Sequence, residues 1–255
     1  VETGGMLDAA AAIAAFDGGS TGPADYGLLE HAGETLAHTS VTFEPDGLAF
    51  DVCHEDGVTT LPVAPNGENL SLDDDASAWV DLDWTFSYAG SSFDRVQVHS
   101  NGSITFTDAP WSFEPPSAEN FSTAPRIAPM YTDLDPSAAG SVRVNRLEDR
   151  VAFSWCSVPA YSNSGTAPTN TMQLELFRDG RIRITWLNTP VFSNQYAIIG
   201  LGGEDVENQQ MDFNNADVCG DNTTPGGSCA EDVDADGRVD VIDLIRLLEA
   251  WGQCD

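Results

Sequence analysis

Apolar and polar residues alternate along much of the chain between residues 41 and 201. The clearest case is the segment 80–88, whose apolar members are Val80, Leu82, Trp84, Phe86 and Tyr88. Side chains of a strand point alternately to its two faces, so a period of two places these residues together on one face. The segment is therefore predicted to be a half-buried strand.

Short turn signals divide the other alternating segments into pairs. Pro45-Asp46-Gly47, Ser100-Asn101-Gly102 and Asp179-Gly180 each lie between two such segments. Asn-Gly and Asp-Gly favour the positive φ angles that tight hairpins need. The predicted hairpins span residues 41–52, 95–106, 142–158 and 172–187, and a last strand spans 197–201. Many short strands without β-α-β alternation predict a mainly β chain folded as an antiparallel β-sandwich.

A different pattern occupies residues 232–243, where acidic residues recur with the spacing of an EF-hand calcium loop around Gly237. The predicted Ca²⁺ ligands are Asp232, Asp234, Asp236, the backbone carbonyl of Arg238, Asp240 and Asp243. The helix predicted to follow, over 241–251, is apolar around most of its circumference. Such a helix must be buried on the sandwich, on another chain or on a receptor.

Two further acidic pairs are candidates for ligand binding. Asp133 and Asp135 alternate on an extended segment, so both carboxylates could face one ion or one ligand. Asp81 and Asp83 likewise share a face, and the acidic run 73–75 lies just upstream. For each pair the alternative is a solvated strand end or face, since Asp is common at turns.

The charge balance narrows the class of partner. The chain has 41 acidic and ten basic residues, all of them arginine, for a formal charge of −31. Such a field repels nucleic acid and anionic membranes and attracts divalent cations. Adaptation to high salt or a GC-rich genome would give the same composition.

Cysteine usage favours an oxidising compartment. The chain has Cys53, Cys156, Cys219, Cys229 and Cys254, and none forms a C-x-x-C pair typical of zinc or redox sites. Cys229 and Cys254 bracket the calcium loop and its helix, so a bridge there is predicted to stabilise the tail. The other three leave one odd thiol, which pairs between chains or stays buried. The longest apolar run, 9–16, is too short to span a membrane, and a start at Val1 is consistent with a processed secreted protein.

Five segments carry a resemblance to a known family. They are VDLDWTFSYAGSSFDRVQVHSNGSITF (80–106), RIAPMYTDLDPSAAGSVRV (126–144), RVAFSWCSVPAY (150–161), NTMQLELFRDGRIRITW (170–186) and AIIGLGG (197–203). Together they resemble the NIDO (nidogen extracellular-type) domain, a β-sandwich module of secreted proteins. The resemblance implies an extracellular adhesive or matrix module and not an enzyme.

The tail carries a second resemblance. The sequence DVDADGRVDVIDLIRLLEAWG (232–252) is similar to half of a dockerin type I domain, a calcium loop followed directly by its exit helix. A full dockerin has two such repeats, and this chain has one. The resulting domain prediction is an N-terminal arm (1–38), a NIDO-like sandwich (39–215), a linker (216–228) and a dockerin-like calcium module (229–255).

These observations predict a secreted calcium-binding structural or adhesive protein. It is expected to self-associate into an extracellular filament or surface assembly through the tail, which calcium binding would hold folded. One alternative is a cohesin-type anchoring module that places the sandwich on a scaffold or cell surface, and another is a carbohydrate-binding or carbohydrate-cleaving sandwich. No catalytic role is expected, since the histidines lack metal-binding spacing and Ser100 is not in a nucleophile elbow. Sequons at Asn69, Asn101, Asn120 and Asn222 permit glycosylation in a suitable host.

Overall fold

The computed structural model describes residues 26–31, 36–46, 49–109, 117–162, 167–190, 197–203, 208–210, 213 and 216–219. It contains fifteen strands and one short helix in this part of the chain. The strands are β1 (Tyr26–His31), β2 (Thr39–Asp46), β3 (Ala49–Asp56), β4 (Glu68–Asn69), β5 (Ser77–Tyr88), β6 (Ser91–His99), β7 (Ser103–Thr105), β8 (Arg126–Tyr131), β9 (Ser141–Arg146), β10 (Arg150–Pro159), β11 (Thr169–Phe177), β12 (Ile182–Asn188), β13 (Ala197–Gly202), β14 (Asn208–Gln210) and β15 (Asp217–Val218). The helix α1 spans Ala118–Phe121.

The chain divides into two compact units, Val1–Ala216 and Asp217–Asp255. The first unit holds two sheets. One has the strand order β14-β1-β13-β8-β7-β6-β5, and the other has the order β3-β2-β12-β11-β10-β9-β4. Neighbouring strands are antiparallel except β1 and β14, which are parallel. Of the second unit the structure describes residues 217–219, which include β15.

The main apolar core of the described residues lies between the two sheets of the first unit, built from alternate residues of their strands. Its largest members are Trp155 on β10 and Trp186 on β12, both fully buried. Each indole N–H donates across the core to the opposite sheet: Trp155 to the carbonyl oxygen of His99 (3.0 Å) and Trp186 to that of Pro129 (2.8 Å). The tryptophans therefore fill the core and fix the sheets against each other.

The outer face of the second sheet is also partly covered. Gln173 of β11 is fully buried there, and its amide exchanges hydrogen bonds with the backbone N–H and carbonyl of Val63 at 2.9 and 2.8 Å. Glu175, 0 % exposed, meets Arg150 at 2.8 Å and binds Arg183 through both carboxylate oxygens. Buried polar groups are stable only when they are paired in this way. Strand β11 is thus buried on both faces.

Strand β5 lies at the edge of the first sheet and is interrupted by a bulge. Its register with β6 runs from Ser77 to Asp81 and resumes at Phe86, which pairs with Phe93. Asp83, inside the bulge, has a φ of 61°. The predicted alternation holds on either side of the bulge and at Leu82 within it, with Val80, Leu82, Phe86 and Tyr88 buried. Trp84 is half-buried, with the Arg178 guanidinium 4.7 Å from its ring centre.

The mainly β sandwich and the four predicted hairpins are confirmed. Strand β1, which joins the first sheet, was not predicted and lies within the range assigned to the N-terminal arm. Cys53 and Cys219 are disulfide-bonded, and Cys156, half-buried on β10, is the free thiol among the described cysteines. The predicted domain boundaries stay a prediction. The predicted Cys229–Cys254 bridge and the tail over 229–255 lie outside the described residues.

Candidate metal centre

The three-residue turn Ser100-Asn101-Gly102 joins β6 to β7 and is the framework of the candidate centre. His99 and Ser103 close the hairpin as a register pair. Gly102 has a φ of 72°, and a Cβ atom placed there would lie 2.0 Å from the carbonyl oxygen of Met130. Only glycine fits both this backbone conformation and this close approach.

The turn holds two acidic segments beside each other. On one side, the Ser100 N–H donates to the Ala76 carbonyl oxygen (2.8 Å), and the Asn101 side-chain amide donates to Asp75 Oδ1 (2.8 Å). On the other side, the Leu134 N–H donates to Asn101 Oδ1 (3.0 Å), and the Thr132 N–H donates to the Asn101 carbonyl oxygen (3.3 Å). The side chain of Asn101 therefore bridges the segment around Asp75 to the segment around Leu134.

Between these segments lie the carboxylates of Asp74, Asp75 and Asp133. One oxygen from each lies within 4.8 Å of the other two, and all three residues are half-buried. Oδ1 of Asp74 and Oδ1 of Asp133 are buried and have no hydrogen-bond partner. Calcium binds oxygen ligands at 2.3–2.6 Å, so two ligands of one ion lie at most about 5 Å apart. The spacing of the three oxygens fits one such ion.

The electrostatics of the group also favour a cation. Burial, followed by the charges of Asp75, Asp74 and Asp135, raises the pKa of Asp133 to about 6. Burial, and then the charges of Asp135 and Asp75, raises the pKa of Asp74. Like charges gathered in a partly desolvated place disfavour the ionised form, and a bound divalent cation reverses this effect.

The other residues proposed from the sequence are not members of this group. The Asp135 carboxylate accepts hydrogen bonds from the N–H and hydroxyl of Ser137 and from the Ala138 N–H, so it caps the turn that follows Pro136. Asp81 and Asp83 are exposed on β5 and belong to no metal-ligand group in the described part of the chain. The ligands predicted in the tail, from Asp232 to Asp243, lie outside the described residues.

Sequence reasoning proposed Asp133 but paired it with Asp135 rather than with Asp74 and Asp75. The feature that brings the observed group together is the side chain of Asn101, which bonds to Asp75 on one side and to the Leu134 N–H on the other. These contacts can be recognised only once the hairpin is placed beside both acidic segments. The same contacts bear on the Asn101 sequon. Its side-chain nitrogen already donates to Asp75, whereas Asn69, in another sequon, is exposed.

Comparison with known proteins identifies a family for this chain. A protein-family model described as NIDO related matches residues 49–235, more than half of the chain. The matched range contains the turn 100–102 and the three clustered aspartates. A search of curated proteins and a search of solved structures found no match.

Proposed function

This chain belongs to the NIDO-related family, and we propose that it is a non-catalytic, calcium-binding structural or adhesive protein of the extracellular space. NIDO domains are extracellular, and the disulfide-bonded Cys53 and Cys219 fit an oxidising compartment. No helix in the described ranges is long and apolar enough to cross a membrane.

The observation that carries the calcium proposal is the group of Asp74, Asp75 and Asp133. Its carboxylate oxygens have the mutual spacing of ligands around one ion, and two of the buried oxygens lack any hydrogen-bond partner. Carboxylate oxygens are the preferred ligands of a hard cation, and the half-buried position leaves room for water to complete the shell. We assign Asn101 the role of a positioning residue, because its amide orients Asp75.

We expect Asp133→Asn to weaken calcium binding at this centre so far that a titration no longer detects it. The change keeps the shape of the side chain but removes one of three charged ligands, so affinity falls by at least about tenfold. Isothermal titration of the full chain should give one Ca²⁺ fewer than the wild type. Because Asp133 must lose its proton to bind the ion, wild-type affinity at this centre should also fall as the pH drops through about 6.

Asp81→Asn is the matched control, an exposed aspartate outside the cluster that should leave the titration unchanged. A variant with both Asp232→Asn and Asp236→Asn distinguishes calcium bound at the cluster from calcium bound at the loop predicted in the tail. An Asp133→Asn protein that binds Ca²⁺ with wild-type stoichiometry and affinity would remove Asp133 from the centre.

We further propose that the chain self-associates through its tail. The support is in the sequence: an EF-hand spacing over 232–243, cysteines on either side of it, and an apolar segment over 241–251 that is predicted to form a helix and would then have to be buried. We expect the mass measured by light scattering in Ca²⁺ to exceed that of one chain. Chelator, or Asp232→Asn with Asp236→Asn, should return it to one chain, because the helix then loses its folded loop.

Leu248→Asp gives a second test of the tail, since it places a charge on the apolar helix without touching the loop. Asp133→Asn is the control and should leave assembly unchanged. A mass that does not respond to chelator or to any tail variant contradicts self-association through the tail, and the calcium assignment at Asp133 is judged separately by its own titration.

A further inference from the structure

Arg126, the first residue of β8, is the buried arginine of the described chain, with 4 % of its surface exposed. It lies beside Thr105 of β7 and Gly202 of β13 in the first sheet. One terminal nitrogen donates to Ser103 Oγ at 3.1 Å, but its Nε is buried and has no hydrogen-bond partner. The guanidinium is therefore desolvated with part of its donor capacity unused.

No carboxylate balances this charge among the residues that the structure describes. Arg146, Arg150, Arg181 and Arg183 each meet an acidic side chain, whereas Arg126 takes part in no ion pair of this kind. The Tyr131 ring centre lies 4.5 Å and the Phe121 ring centre 5.9 Å from its guanidinium carbon. Burying an unpaired charge is strongly unfavourable, and ring faces offset this cost only in part.

The polar side chains near Arg126 carry no charge, and one of them keeps an unused donor. Burial, and then the charge of Arg126, lowers the pKa of His99 to about 3, so its imidazole is uncharged at neutral pH. The Thr105 hydroxyl donates to the Thr107 carbonyl oxygen (3.0 Å), and His99 Nε2 in turn donates to Thr105 Oγ1 (2.9 Å). Ser103 Oγ accepts from Arg126, which leaves its own proton free to donate to a ligand.

We propose that Arg126 and Ser103 form a binding site for a small monocarboxylate anion on the outer face of the first sheet. Arg126 Nε and the Ser103 hydroxyl are the two donors, and the carboxylate supplies both the missing charge and the missing acceptors. Arg126 is 4 % exposed and Ser103 is fully buried, which limits a ligand here to a few heavy atoms. The site is separate from the calcium centre and does not depend on it.

The test is the melting temperature of the full chain in sodium formate or sodium acetate, compared with sodium chloride at equal concentration. At about 100 mM formate we expect the Tm of the wild type to rise by about 3 °C above its value in chloride, as for a ligand with a Kd of about 20 mM. Arg126→Met should abolish this rise. Arg178→Met, which removes an exposed arginine stacked on Trp84, should keep it.

Ser103→Ala keeps the guanidinium and should weaken the apparent formate affinity about fivefold, the effect of one lost hydrogen bond. This variant carries the test where Arg126→Met does not fold. An equal rise in formate and in chloride overturns the carboxylate assignment. A formate effect that persists undiminished in Arg126→Met, or in Ser103→Ala where only that variant folds, overturns the site.

Discussion

Replacing Trp155 with alanine is expected to lower the free energy of unfolding by about 3–5 kcal/mol, the range for large aromatic side chains removed from a core. Trp155 is fully buried between the sheets, so alanine leaves a cavity that the surrounding strands cannot fill. The same change removes the hydrogen bond to the His99 carbonyl oxygen in the opposite sheet. Urea unfolding followed by far-UV circular dichroism measures the effect.

Two variants separate packing from hydrogen bonding. Trp155→Phe keeps most of the ring but loses the indole N–H, and should cost about 1–2 kcal/mol. Trp79→Ala is the matched control, because Trp79 is a half-buried tryptophan on β5 whose main partner is the Arg95 guanidinium at 4.2 Å. It should cost about 1 kcal/mol. Equal losses for Trp155→Ala and Trp79→Ala would show that Trp155 does not lie in the core.

Gly102→Ala is expected to cost about 3 kcal/mol and to weaken calcium binding at the same time. The new Cβ would lie 2.0 Å from the Met130 carbonyl oxygen, a backbone atom that can move only if β8 moves. A shift of the turn also moves Asn101, whose amide holds Asp75 in place. We therefore expect Gly102→Ala to lower both the free energy of unfolding in urea and the Ca²⁺ affinity measured by titration, although residue 102 is not itself a ligand.

Gly90→Ala isolates the contribution of the backbone conformation. Gly90 lies in the β5–β6 turn with a φ of 73°, nearly that of Gly102, but a Cβ there meets nothing within 4 Å. Its replacement should cost about 1 kcal/mol, the strain of a left-handed alanine, and should leave calcium binding unchanged. Identical effects of the two substitutions would exclude a role for the Gly102–Met130 contact.

Most of the sandwich could be predicted because its signals are local. Alternation along 80–88 and the Asn-Gly and Asp-Gly turns follow from the chemistry of neighbouring residues. Strand β8 lacked such a signal, since Pro129 argues against a central strand. The structure accommodates this proline outside the register pairs with β7 and β13, and its free carbonyl oxygen accepts the Trp186 N–H.

The candidate site was predictable only in part, because its members meet across a long stretch of chain. Asp133 was recognised from its own segment, but its partners Asp74 and Asp75 are brought to it by the hydrogen bonds of Asn101.

The burial of Gln173 and Glu175 could not be predicted from the sequence either. An alternating strand is expected to have a solvated outer face, and only the packing of Val63 over Gln173 shows otherwise.

The bulge in β5 has a consequence for how copies of this chain can join. Between Asp81 and Phe86 the outer edge of the first sheet departs from a regular ladder, and the exposed Asp81 and Asp83 add charge there. An incoming strand cannot pair along such an edge, which is how natural sheets resist fusion into fibrils. If the proposed self-association occurs, this edge would therefore not extend into a continuous sheet between copies, and the assembly would lack the 4.7–4.8 Å meridional repeat of amyloid there.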